Sequence, residues 1–113
     1  MKIAAAALAL STLALSIFAA PAFAADNGNS AITTLGEING IALACEQPAI
    51  VSRARNAITT TAPKTRANGE TFETATNAAY LAQGKGATCP DVATLVKRLG
   101  DAEKNLSAAF ASQ

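Results

Sequence analysis

Residues 88–110 read TCPDVATLVKRLGDAEKNLSAAF, and this stretch decides the fold. Val92, Leu95, Val96, Leu99, Ala102, Leu106, Ala109 and Phe110 fall at spacings of three and four and form one apolar stripe, while Lys97, Arg98, Asp101, Lys104 and Asn105 lie opposite. That period is helical, and no alternating pattern competes with it. Thr88 and Asp91 have the spacing of a helix start, with Thr88 as cap and Asp91 as a negative group near the positive end of the dipole.

Upstream of this helix, Gly84-Lys85-Gly86 is a glycine-rich stop. It ends a third helix expected over about Glu70 to Gln83, with Phe72, Ala75, Ala78, Ala79 and Ala82 on one side, Tyr80 at that side's edge and Leu81 apart. Lys64 to Gly69 reads as a turn, with Asn68-Gly69 its sharpest signal. A second helix starts at Gln47-Pro48, where proline is tolerated because the first helical N–H has no partner anyway. It carries Ile50, Val51, Ala54, Ala57 and Ile58, is weakened by Thr59-Thr60-Thr61 and is stopped by Ala62-Pro63. The first helix is expected from a Ser30 cap to about Cys45, with Ile32, Leu35, Ile38, Ala42 and Cys45 inward and Ile41 and Leu43 widening the arc. Beside that stripe, Gly36, Gly40 and Ala44 make a row of small residues that lets another helix approach closely. Packing within its own bundle is the commoner use of such a row, and a helix from another subunit the rarer one.

The start of the chain reads as an address. Lys2, an apolar run from Ile3 to Ala20, Pro21 and the small-x-small pattern Ala22-Phe23-Ala24 describe a secretory signal peptide cleaved after Ala24. The run is also at the lower edge of what spans a bilayer, but it is dominated by weakly hydrophobic Ala and ends at a proline, so no stable membrane anchor is expected after cleavage. No cysteine follows it to take a lipid. The expected organisation is a signal peptide at 1–24, a flexible polar leader at 25–29 and one helical domain at 30–113.

About ninety residues would remain, enough for a single small domain with a marginal core. Cys45 and Cys89 are the only two cysteines of the 113-residue chain, and in an oxidising compartment one intramolecular disulfide is the default reading. Short connections favour antiparallel neighbours. In an up-down-up-down order the end of the first helix and the start of the fourth then share a pole, which is where Cys45 and Cys89 fall. The expected fold is all-α: a small four-helix up-down-up-down bundle stapled by one disulfide.

Chemistry finds little footing. The chain has no histidine, which removes the ordinary Ser-His and Cys-His nucleophiles and the usual nitrogen ligands of zinc. The cysteines are too far apart for a C-x-x-C redox motif, and no phosphate loop is present. Glu70 and Glu73 have a spacing that would suit an acid and base, although a negative first turn facing the helix dipole explains them more simply. Asn105-Leu106-Ser107 matches a glycosylation triplet but sits within the clearest helix. No catalytic residue, metal site or cofactor is expected, and the chain is read as a non-enzyme.

Nine Lys and Arg stand against eight Asp and Glu, and with Lys2 in the leader the mature chain is balanced. Nucleic acid is therefore not an expected partner. The one uneven feature is Arg53, Arg55, Lys64 and Arg66, a run without an intervening acid. It is the candidate surface for an anionic partner, such as a headgroup, a phosphate or an acidic protein surface, although solvated helix faces often produce such runs.

In plan the whole chain resembles the acid-stress chaperones of the HdeA type: a cleavable leader, fewer than a hundred mature residues, four helices, and two distant cysteines, Cys45 early and Cys89 late. The likeness does not extend to a motif around Cys45-Glu46-Gln47 or Thr88-Cys89-Pro90, and the tryptophan expected near the first cysteine of that family is absent. The resemblance implies a dimer that loosens in acid and shields unfolded clients in the periplasm. Small exported immunity proteins, which bind and block a toxin enzyme, share the same plan. The functional expectation is an exported protein, periplasmic or secreted, that acts by binding another protein. The acid-stress chaperone and the immunity protein are the alternatives, and the plan leaves room for a homodimer.

Overall fold

A computed structural model describes residues 20–111. Most of the expected signal peptide, residues 1–19, lies outside them. The described chain is a bundle of four helices: α1 Ala20–Ala44, α2 Pro48–Thr61, α3 Arg66–Gly84 and α4 Val92–Phe110. Most of the core comes from the stripes read from the sequence in α1, α2 and α4. Ile32, Leu35 and Ala42 of α1, Ile50 and Ala54 of α2, Phe72 of α3, and Leu95, Leu99, Ala102 and Leu106 of α4 are buried together.

Gly36 of α1 stands against Phe72 and Ala75 of α3, and Gly40 against Thr76, Ala79 and Tyr80. Residue numbers rise together along the pair, so α1 and α3 run parallel. Gly28 near the start of α1 meets Phe110 at the end of α4, so those two are antiparallel. The up-down-up-down order follows. α1 packs on all three other helices and α2 on α4, whereas α3 approaches α1 alone.

The small-residue row is the reason α3 comes so close. A Cβ on Gly36 would lie 2.6 Å from the Phe72 carbonyl oxygen, and one on Gly40 would run into the Thr76 carbonyl oxygen and stand 2.9 Å from the Tyr80 backbone nitrogen. The obstacles are backbone atoms, which cannot swing aside. Gly40→Ala is therefore expected to destabilise the fold by about 2 kcal/mol, because overpacking outweighs the gain of about 1 kcal/mol in helix propensity. Nothing lies within 4 Å of a Cβ built on Gly100 of α4. Gly100→Ala should instead stabilise, by up to about 1 kcal/mol, and paired urea melts will show the opposite signs.

Three helix starts differ from the sequence reading. α1 does not begin at Ser30: residues 25–29, expected as a loose leader, are helical. Gly28 is buried against Phe110 of α4, a contact with a distant residue that the local sequence does not announce. The expected cleavage point at Ala24 falls within the first turns of α1. α3 begins at Arg66 rather than Glu70, since Thr65 caps it by accepting from the Asn68 N–H at 3.2 Å. The Asn68 amide also donates to the Pro63 carbonyl at 2.9 Å, so the Asn-Gly turn signal is overridden by a cap three residues earlier. In α4 the cap is Asp91, not Thr88: its carboxylate accepts from the Thr94 N–H at 3.3 Å.

α2 matches its expected span, and its threonines are accommodated. The Thr59 and Thr60 hydroxyls each donate back to a carbonyl four residues earlier at 2.8 Å, a local bond that lets a β-branched polar residue sit in a helix.

Candidate functional site

At one pole, Cys45 and Cys89 are joined, with an S–S distance of 2.06 Å and Cα atoms 5.9 Å apart. The turn out of α1 is closed by Glu46 in the left-handed region, φ 56°, while the Gln47 N–H donates back to the Ala42 carbonyl at 2.8 Å. This ending usually takes glycine. On the other side of the link, the Gln83 amide donates to the Ala87 carbonyl at 2.9 Å and ties the α3–α4 connection to the end of α3.

Exposed large apolar side chains among the described residues also belong to this half of the molecule: Leu43, Tyr80, Leu81, Val92 and Val96. Val92 and Val96 were expected in the buried stripe of α4. They stand 50% and 39% exposed, because α1 and α2 cover only the part of that stripe carried by Leu95, Leu99, Ala102 and Leu106. The expected inner face of α3 is turned as well. Phe72, Ala75 and Thr76 are buried, and Ala78 and Ala82 are exposed.

Thr76 is buried because it meets Asn39, which the sequence reading missed. Asn39 is fully buried, and its amide donates to the Thr76 hydroxyl at 3.2 Å. The hydroxyl itself lies 2.8 Å from the Phe72 carbonyl and 3.2 Å from that of Gly36. Asn39 Oδ1 has no partner, which makes this polar pair costly to bury. The pair fixes one register between two parallel helices whose contact is otherwise mostly Gly, Ala and a single Phe. A polar residue amid the apolar positions 35, 38 and 42, between two glycines, is the signal that marks it.

The members of the basic cluster differ in what they meet. Arg53 reaches α4 and pairs with Glu103. Arg66 pairs with Glu70 one turn along α3 at 3.0 Å. Arg55 and Lys64 make no ion pair among the described residues, and they line the same groove. The early start of α3 also removes Glu70 and Glu73 from its first turn, so the dipole explanation of that pair falls. Glu70 serves Arg66, and Glu73 lines the groove with Arg55 and Lys64.

Because α3 leans on α1 alone, it leaves an open groove on each flank. The first, about 820 Å³, has Ala67, Ala75, Ala78 and Ala82 of α3 along one wall and Thr33, Glu37 and Ile41 of α1 along the other, with Glu70 at its edge. The second, about 600 Å³, lies between the last turns of α2 and the first turns of α3. Ile58, Ala62, Pro63 and Phe72 supply its apolar lining, and Arg55, Lys64 and Glu73 its charges.

The Asp91 carboxyl at the start of α4 has its pKa lowered by hydrogen bonding. The Thr94 hydroxyl, and after it the Thr94 N–H, hydrogen-bond its carboxylate and hold it below the ordinary value of 3.8. A carboxyl depressed by folding adds stability above its unfolded pKa and loses that contribution as pH falls through the folded value. The stability gap between the unmodified protein and Asp91→Asn should therefore be constant well above 3.8 and narrow below it, as read by urea melts across acid pH.

Among the described residues no cluster of His, Cys, Asp and Glu is arranged to hold a metal ion, and no helix is long and apolar enough to cross a membrane. No family model matches the sequence, and neither a curated protein nor a solved structure matches the chain.

Proposed function

We propose that this is an exported, non-enzymatic helical protein that works in an oxidising compartment by binding another protein. The observation that carries the reading is the seating of α3 on α1 alone, which leaves two long grooves with apolar lining open on a small stapled body. Grooves between helices are where a partner's amphipathic segment lies down, and the stapled scaffold holds them in shape before binding. The disulfide supports the compartment, since such links persist outside the reducing cytosol. Affinity capture from the exported fraction, with the oxidised protein as bait, tests the reading. One partner retained in stoichiometric amount is the expected result. Protection of many unfolded clients after brief acid exposure, with no discrete partner, would replace it by the acid-stress chaperone.

A further inference from the structure

We propose that the groove between the last turns of α2 and the first turns of α3 docks an acidic segment of the partner, one that sets carboxylates against Arg55 and Lys64 and an apolar side chain on the floor below them. This rests on the protein-binding reading above and names the surface and the chemistry that reading leaves open.

The floor is made of Ile58, Ala62, Pro63 and Phe72. Phe72 is anchored in the core at 4% exposure, so it offers a fixed rather than a floppy wall. The corner is held from within: the Asn68 amide and the Thr65 N–H both donate to the Pro63 carbonyl, each at 2.9 Å. A volume near 600 Å³ falls in the range of a formed binding pocket.

Charge selects the occupant. Arg53, Arg66 and Lys97 each hold a carboxylate within the molecule, whereas Arg55 and Lys64 hold none among the described residues. Glu73 is the one acid that lines the groove, so the local balance is positive. The groove on the opposite flank of α3 is also apolar but carries Glu37 and, paired with Arg66, Glu70, with no cation along its lining. Two grooves of similar make and opposite sign share one helix, and an acidic segment is directed to one and repelled from the other. Exposed charges of this kind act through encounter rate and choice of partner.

The test uses the full oxidised chain, labelled with nitrogen-15 and titrated with two capped eight-residue peptides, one of Glu and Leu and the other of Lys and Leu in the same order. The Glu peptide is expected to shift amides at Ile58, Thr59, Asn68, Gly69 and Phe72, and to bind at least tenfold more tightly than the Lys peptide. An Arg55→Ala, Lys64→Ala double variant should weaken it at least fivefold and flatten its salt dependence, while Glu37→Gln on the other flank leaves it unchanged. Equal binding of the two peptides, shifts outside the groove, or no saturable shift at millimolar Glu peptide would overturn the proposal. Tighter binding of decanoate than of the Glu peptide would overturn it too, in favour of an anionic amphiphile. A natural partner captured equally by the double variant and the unmodified protein would remove the groove and leave the protein-binding reading standing.

Discussion

Reducing the Cys45–Cys89 link is expected to lower the unfolding free energy by about 2–4 kcal/mol. The two cysteines are 44 residues apart in sequence, and the chain-entropy treatment of a loop that long gives about 4 kcal/mol before native-state strain is subtracted. The loop contains α2 and α3 entire, so opening it returns freedom to half of the helices in the unfolded chain. In a domain this small the core alone leaves little margin. Urea melts of the purified protein with and without reductant measure the difference, and thiol alkylation before denaturation should label neither cysteine. Two labelled cysteines in the native protein, or coincident melts, would contradict the expectation.

Leu99→Ala is expected to cost about 3–4 kcal/mol, against less than about 0.5 kcal/mol for Lys97→Ala. Leu99 is completely buried at the middle of α4 among Leu95, Ala102 and Leu106. Truncation there loses transfer energy and leaves a cavity that three packed helices cannot fill. Lys97, two positions away, is exposed and pairs only with Asp101 one turn on, at 3.1 Å. Such exposed pairs contribute little. Equilibrium urea unfolding of the two variants distinguishes the two faces, and equal effects would mean that α4 presents a different face to the core.

Much of the fold was legible because its signals are local or periodic. The stripes of α1 and α2, the part of the α4 stripe from Leu95 to Leu106, and the proline at the start of α2 all read directly from residue order. The pairing of Cys45 with Cys89 followed from helix order and compartment together. Helix starts were less legible. α3 was expected to start at Glu70 and α4 to be capped by Thr88, but Thr65 and Asp91 take the capping role through side-chain geometry that spacing alone does not reveal. The basic run was visible in the sequence, but its division between ion pairs and a groove was not. Arg53 and Arg55 are near neighbours in sequence, yet one is turned to Glu103 of α4 and the other to the α2–α3 groove.

The sequence by itself determined that four amphipathic helices would pack around one apolar core and that a single disulfide would tie the end of α1 to the start of α4. Helical periodicity and a lone cysteine pair are properties of the chain read in order. Only the tertiary structure decided that α3 would rest on α1 alone, that Asn39 and Thr76 would be buried together, and that Arg55 and Lys64 would line one groove with Glu73 while neither forms an ion pair among the described residues. Those outcomes depend on how closely two backbones approach. The Gly36, Gly40, Ala44 row signals a close approach, but which helix it meets and in what register is set where glycine faces a carbonyl of Phe72 or Thr76, residues far apart from it in the chain.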